Sequence, residues 1–398
     1  MKVLGIVAEF NPFHNGHFHL IEQAEAAGFS HCVCVMSGNF VQRGEPAVTE
    51  KRIRTKAALQ NGADLIIEMP LAGAVAPARR FAKSAVSLLK ATGCVDAIAF
   101  GSESGELAPL KNAAEMIASS GYSARMKELL SQGNTFAKAR ALAFEHEYGK
   151  AAAALLSAPN NVLAVEYLRA AEELGWSVEA LTFPRKGAAH DSEATSEGIA
   201  SASYLRRHAE DFDMLAGFAP ASATELYREA AASGSWPLDF SMLESMAFSY
   251  LRRFDREALR TLPDLSEGIE DRLWKAIRAA KSYEEILMLT KTKRYTLARI
   301  RRLALCAFLG VCDEDTAMPP YLRVLGANKK GRELLGVMRK KATLPLESSL
   351  ARLRDVSDDC RRAAELEASA ADLYTAALPS PKPCGYDYTA QAVFVGKH

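Results

Sequence analysis

The stretch VLGIVAEFNPFHNGHFHLIEQAEAAG, residues 3–28, decides the fold. It opens on an apolar, β-rich run, Val3–Ala8, that reads as a buried strand. A polar turn, NPFHNGH (11–17), follows at once. A helical pattern then covers Gly16–Ala27, with Phe18, Ile21 and Ala24 on one side. It stops at Gly28, where a helix C-terminus needs a left-handed residue. Strand, polar turn and helix make the first half of a βαβ unit.

The unit recurs. Cys32–Met36, Asp64–Met69 and Val95–Phe100 are further apolar, β-rich runs. Between them lie helical patterns at Lys51–Gln60, stopping at Gly62, and Phe81–Ala91, stopping at Gly93. Alternation at about 30 residues per unit is the signature of a parallel sheet. Right-handed crossovers make it a Rossmann-like doubly wound α/β sheet. Residues 107–180 read as helical and alanine-rich, and Val178–Phe183 as a fifth strand. Beyond residue 215 the pattern reads as helices only, with Leu243, Met246, Ala247, Tyr250, Leu251, Phe254 and Ala258 at 3.6-residue spacing. The expectation is a catalytic domain over 1–215 and an all-helical C-terminal domain over 216–398. The tail from Leu378, LPSPKPCGYDY, reads as irregular.

Composition sets the bounds. A chain of 398 residues exceeds one ordinary core and suggests two or three domains. Its 49% hydrophobic and 24% charged residues are those of a soluble globular protein. With a net charge of +1, a nucleic-acid partner must be held by a local basic face. The seven cysteines show no zinc spacing, and Cys32 and Cys34 alternate inside a strand pattern. This points to a reducing, cytoplasmic setting. The N-terminal residues read as neither signal peptide nor anchor, and no apolar run reaches the roughly 18 residues of a membrane span. No stable protein partner is evident.

In a doubly wound sheet, ligands bind beyond the carboxyl ends of the strands, where the strand order reverses. The first strand ends at Glu9, followed by NPFHNGH; the fourth ends at Phe100, followed by GSESG (101–105). With the order 3-2-1-4-5 these loops face each other across one crevice. His14 or Asn15 can cap the helix there, and His14 and His17, three apart, face the same way. Free N–H groups and the helix dipole attract phosphate, and two imidazoles can donate to its oxygens. Gly16 admits a base or ribose close to the backbone, and Pro12 stiffens the turn. A metal reading lacks a third ligand, since His19 points elsewhere and no HExxH is present. A nucleotide phosphate site is the reading that this placement favours.

Other pieces are less specific. Arg43 in SGNFVQRGEPA (37–47) can hold phosphate or nucleic acid, or be a solvated loop charge. The asparagines of PNN, Asn160 and Asn161, can cap a helix or bind a base or ribose. In FPRKGAAHD (183–191), Arg185 can reach a triphosphate, and His190 and Asp191 can pair. SASYLRR (201–207) offers small hydroxyls, Ser203 among them, and then Arg206, which suits a pyrophosphate or merely a helix cap. From Asp271 to Arg302 there are ten Lys/Arg against three acidic residues. Lys275, Arg278, Lys281, Lys291, Lys293, Arg294, Arg299 and Arg302, with Tyr295 among them, suit an RNA backbone and a splayed base. Lys329 and Lys330 in NKKGR (328–332) form a second patch.

HxGH after a first strand resembles the HIGH-motif nucleotidyltransferase superfamily. The ordered set VAEFNPFHNGH, MSGNFVQRGEPA, GADLIIEMP, FGSE, PNN, TFPRKGAAHD, SASYLRR, KTKRYT and PYLRVLGANKKG resembles the bacterial tRNA(Met) cytidine acetate ligases over roughly residues 1–335. The resemblance implies an enzyme that activates acetate with ATP, as its Mg²⁺ complex, and moves acetyl to N4 of the wobble cytidine (C34) of elongator tRNA(Met). It implies ATP contacts along Val7, Ala8, Glu9, Phe10, Asn11, Pro12, Phe13, His14, Asn15, Gly16, His17, Phe18, His19 and Leu20, with His14 and His17 catalytic. Gly101, Asn160 or Asn161 (the latter the better match), Arg185, Ser203 and Arg206 complete the set. The basic run would hold tRNA, with Arg43, Lys329 and Lys330. VLAVEYL after PNN departs from the pattern, and the last sixty residues carry no matching motif. The competing readings are a small-molecule adenylyltransferase, which has no use for the basic helices, and a non-catalytic RNA-binding protein.

Overall fold

The computed structural model describes residues 1–134, 136–184, 198–266, 268–316 and 318–396. The five strands of the first half form as β1 (Val3–Ala8), β2 (His31–Ser37), β3 (Leu65–Met69), β4 (Ala97–Ser102) and β5 (Glu179–Pro184). They run parallel in the order β3-β2-β1-β4-β5, so the doubly wound sheet and its reversal at β1/β4 are borne out. Helices α1 (Asn15–Ala26), α2 (Lys51–Gln60), α3 (Ala78–Ala91) and α4 (Pro159–Glu173) cover it.

Side-chain alternation explains the two layers. Leu4, Ile6, Cys34 and Met36 pack with Ile21 and Ala24 of α1 and Ala57 and Ala58 of α2. Val3, Val33, Val35 and Ile67 pack with Phe81 and Leu88 of α3 and Val165 of α4. Strands covered on both faces read as continuous apolar runs. Each such buried aliphatic side chain contributes about 1.5–3 kcal/mol.

The second half is mainly helical, with one departure from the expectation of helices only. β6 (Leu322–Ala327) returns to the sheet antiparallel to β3, with Glu68 opposite Arg323. Two-residue strands β7 (Leu346–Glu347) and β8 (Val393–Phe394) pair with β6. Arg323 breaks what would otherwise be an apolar run, and it is fully buried. Its guanidinium is neutralised in place by Glu68 and Asp387, each at 2.7 Å. The tail read as irregular also carries a helical turn, Tyr386–Thr389, before β8.

Within the helical half, α5 (Ala202–Arg207) precedes α6 (Phe240–Arg253), α7 (Ile269–Ala279), α8 (Tyr283–Thr290) and α9 (Leu297–Leu309). After β6 come α10 (Lys329–Lys341) and α11 (Asp358–Ala376). Leu243, Leu251, Ile277, Ile300 and Phe308 form its core, which continues into Phe40 and Leu71 of the first half. Phe40 opens a hairpin with arms Phe40–Val41 and Glu45–Pro46. Its Gly44 has φ +76°, and a Cβ there would lie 2.6 Å from the Arg302 backbone nitrogen of α9. Glycine is therefore required both for the turn and for its seat on α9. Among the described residues, no helix is long and apolar enough to cross a membrane.

Candidate active site

The carbonyl ends of β1 and β2 are tied together by Arg54 of α2, which is fully buried. It donates to the carbonyls of Glu9 (2.6 Å), Ser37 (3.1 Å), Thr49 (3.1 Å) and Gly38. A buried guanidinium has five donors, and here carbonyl oxygens meet four of them. The turn after β1 is fixed next. Phe10 takes φ +47° and buries its ring 5.1 Å from Phe13 and 5.0 Å from the His17 ring. Asn11 accepts from Val48 N–H at 2.8 Å, Arg206 donates to the Asn11 carbonyl at 2.9 Å, and Tyr227 donates to the Phe13 carbonyl at 3.0 Å. Arg54 escaped sequence reading, because a charge in KRIRTKAALQ resembles a solvated helix face, and Tyr227 because its partner lies 214 residues away.

His14, rather than Asn15, caps α1. Its Nδ1 accepts from Gly16 N–H at 3.0 Å, and His17 Nδ1 faces the His14 N–H at 3.3 Å. This is a reciprocal capping box built from two imidazoles. With Nδ1 the acceptor on each neutral ring, Nε2 is the proton-bearing atom of each. The ring centroids lie 3.9 Å apart. The two rings thus lie together at a helix N-terminus, a place that attracts phosphate. A Cβ on Gly16 would lie 2.9 Å from His14 Cε1, so the glycine keeps room for the folded-back ring. Asn15 turns away and donates to the Gly198 carbonyl at 2.9 Å.

The opposite wall is the end of β4. Gly101 pairs with Phe183 of β5. Glu103 caps α4: its carboxylate accepts from Asn160 N–H (3.2 Å), Asn160 Nδ2 (2.6 Å) and Asn161 N–H (2.9 Å). Asn161 is buried and returns the bond, its Oδ1 accepting from the N–H groups of Glu103 and Ser104 at 3.0 and 3.3 Å. The FGSE and PNN motifs are one interlocked unit, with Asn161 its structural pin and Asn160 the more exposed. Sequence reading missed Glu103 as its partner.

Ser203 lies in α5, its hydroxyl 3.1 Å from that of the capping Ser201. Arg206 reaches the NPFHNGH turn from the same helix. Arg185, His190 and Asp191 lie outside the described residues. Glu9 projects toward the hairpin and accepts from Gln42 N–H at 3.0 Å. Burial holds its carboxyl above the usual carboxylate range, countered in part by the Gln42 N–H and by Arg206, Arg43 and Arg54.

A model of the HIGH Nucleotidyl Transferase family matches residues 1–387. The tRNA(Met) cytidine acetate ligase of Acetivibrio thermocellus is 36% identical over 418 residues, covering 99% of this chain and all of the relative. That of Syntrophomonas wolfei is 38% identical over 415 residues, covering 99% of each. This chain belongs to the tRNA(Met) cytidine acetate ligase family of HIGH nucleotidyl transferases. Among solved structures, Thermotoga maritima TmcAL bound with alpha-thio ATP superposes with a TM-score of 0.92 at 32% identity, covering 99% of each chain. The apo form of the same protein gives 0.94.

Within this family member the basic run divides into two sets. Lys275, Arg278, Lys281, Lys291, Lys293 and Arg294 are exposed. Arg299 and Arg302 are half-buried and turned inward: Arg299 holds the Asp264 carbonyl at 2.6 Å and Ser266 at 2.7 Å, and Arg302 faces the Gln42 carbonyl at 3.4 Å. Arg43 is half-buried in the hairpin that α9 supports. Tyr295 corrects an expectation. It is buried in the helical core, with Arg299 stacked 5.7 Å from its ring centre, so its face is not offered to a base. Its position among lysines concealed a core role. Lys329 and Lys330 are exposed but follow β6, whose C-terminal end meets the start of β3. They lie at the edge of the sheet opposite the crevice, because β6 runs antiparallel to the others.

Among the described residues, one carboxylate group is close enough to hold a cation: Glu68, Glu367 and Asp387. Lys51 Nζ already sits on it, at 2.5, 3.0 and 2.7 Å. That buried ammonium fills the place of a metal, so the group does not fit one.

Proposed function

We propose that this chain binds ATP in the β1/β4 crevice, joins acetate to it as acetyl-adenylate, and transfers acetyl to N4 of the wobble cytidine of elongator tRNA(Met). The observation that carries the adenylating half is the His14–His17 pair: two Nε2–H donors 3.9 Å apart in ring position, at a helix N-terminus, at the reversal point of the sheet. An acetate oxygen attacks the α-phosphorus in line, and pyrophosphate leaves. His14 and His17 stabilise the charge that grows on the phosphoryl oxygens. Magnesium accompanying ATP would supply charge neutralisation on the triphosphate, beside Arg206. Glu103, Asn160, Asn161 and Gly101 shape the wall for the nucleoside, Arg185 and Arg206 serve the phosphates, and Ser203 starts the helix that carries Arg206.

The exposed lysines and arginines of 275–294 take the tRNA backbone. Residues 1–215 form the catalytic unit, completed by β6 and β8 from the C-terminal half, and the helices between 240 and 309 form the tRNA-binding unit. The test is incubation with ATP, radiolabelled acetate and elongator tRNA(Met), then mass spectrometry of the wobble nucleoside. Label appearing as N4-acetylcytidine supports the function; an unlabelled tRNA from protein that binds ATP contradicts it.

A further inference from the structure

The two chemical steps differ in one proton. Attack of acetate on the α-phosphorus moves none. Attack of the cytosine N4 amine on the acetyl carbonyl forms the N–C bond, breaks the C–O bond to the phosphate, and sends that electron pair out with AMP. The nitrogen must then shed a proton. An exocyclic cytosine amine is a weak nucleophile, so a base within reach speeds the step. His14 and His17 carry their protons on Nε2 and act as donors, so the acceptor must be another group.

The structure narrows the choice among the described carboxylates at the strand ends. Both oxygens of Glu103 are taken by Asn160 and Asn161. Glu68, Glu367 and Asp387 are committed to Lys51 and Arg323. Glu45 pairs with Arg301, and Glu50 with Lys382. Glu9 differs. Its Oε1 accepts from Gln42 N–H at 3.0 Å, and its Oε2 has no hydrogen-bond partner among the described residues. Glu9 is half-buried, where β1 ends and the NPFHNGH turn begins.

Its place suits an acceptor arriving from the helical half. Glu9 directly follows β1 and stands five residues before His14. Its carboxylate holds the hairpin whose Gly44 rests on the Arg301–Arg302 backbone of α9 and whose Glu45 pairs with Arg301. The hairpin therefore links this carboxylate to α9 of the helical half.

We propose that Glu9 is the general base that accepts the N4 proton in the transfer step. This rests on the function proposed above. After transfer, the neutral Glu9 returns its proton to water. The charged and titratable groups facing it are Arg54 of α2, Arg43 of the hairpin, Arg206 of α5 and Tyr167 of α4. The arginines keep the carboxylate charged, and burial keeps it basic enough to accept.

The experiment follows acetyl-adenylate formation and acetyl transfer separately in single turnovers, across pH, for the wild type, Glu9→Gln and Glu9→Asp. Glutamine preserves the Gln42 contact and removes the base. The expected result is a transfer rate lowered about 100-fold or more in Glu9→Gln, at least ~10-fold beyond any loss in adenylation. Wild-type transfer should rise as pH passes upward through the Glu9 titration, and Glu9→Gln should lose that limb. Glu9→Asp should recover part of the rate and the limb. Equal loss in both steps, or transfer in Glu9→Gln within a few-fold of wild type, overturns the assignment while leaving the function intact. If Glu9→Gln fails to fold, Glu9→Asp decides: slowing confined to transfer supports the base, and equal slowing of both steps overturns it. A wild-type chain that labels no tRNA overturns the function itself, and the assignment with it.

Discussion

Two clusters of polar side chains lie at the carboxyl ends of β3 and β1, on either side of β2, and they are built oppositely. Lys51, Arg323, Glu68, Glu367 and Asp387 are all buried and answer one another: each carboxylate meets a cation at 3.0 Å or less. His14, His17 and Glu9 are instead anchored to backbone N–H groups through one atom each, Nδ1 or Oε1. The first cluster pairs its charges with one another and ties α2, β3, β6 and α11 into one body. The second is placed by the backbone at the end of β1 and the start of α1. Paired, buried charge holds structure, whereas side chains placed by the backbone at a strand end are available to chemistry.

The contrast predicts opposite failures. Lys51→Met removes the cation shared by Glu68, Glu367 and Asp387 and leaves Arg323 alone among them, and should cost about 3–5 kcal/mol of stability, measured by denaturant unfolding. If the variant unfolds like the wild type, the cluster does not hold the two halves together. His14→Asn keeps a good N-cap and removes an imidazole. Adenylation should fall ~100- to 1000-fold in single-turnover assays, with the melting temperature little changed. A variant that melts early yet adenylates normally would place His14 in the structural class.

Glu367 sharpens the comparison further. Burial, and then Glu68 beside it, push its carboxyl up to about 8. A carboxyl raised in the folded state stabilises fully below its unfolded value of 4.5 and loses that stabilisation as pH rises through about 8. Asp387 and Glu68, held low by Lys51 and Arg323, contribute in the opposite sense, losing stability only as pH falls below the usual carboxylate range. Stability measured from mildly acidic to mildly alkaline pH should therefore decline in the wild type and decline less in Glu367→Gln. The smallest effects belong to the surface. Charge reversal at Lys291, Lys293 and Arg294 should weaken tRNA binding and flatten its salt dependence by up to about 0.7–0.9 log units per lost phosphate contact, with adenylation retained. The same reversal at Lys329 and Lys330, on the far edge, should leave tRNA affinity almost unchanged.

Much of this was legible in the chain. β1 to β5 and their order followed from apolar runs and helix-ending glycines, because a strand covered on both faces has no room for polar residues. HNGH was legible because its chemistry is local: cap, donors and helix start lie within four residues. What escaped depends on partners far along the chain. Arg323 hid β6, since its neutralising carboxylates lie 255 and 64 residues away. Tyr295 sits among lysines yet faces the core, a direction that spacing in a non-helical turn does not fix. Glu9 lay inside the motif, but its bond to Gln42, 33 residues on, is what distinguishes it from the other strand-end carboxylates.

The central claim is that acetate attacks the α-phosphorus at the His14–His17 site, and the fate of the acetate oxygens tests it most directly. Turnover of ATP and tRNA(Met) with heavy-oxygen-labelled acetate should leave one labelled oxygen in the AMP released, detected by mass spectrometry, with the signal lost in His14→Asn. Unlabelled AMP, or ADP as the product of acetyl transfer, would contradict it.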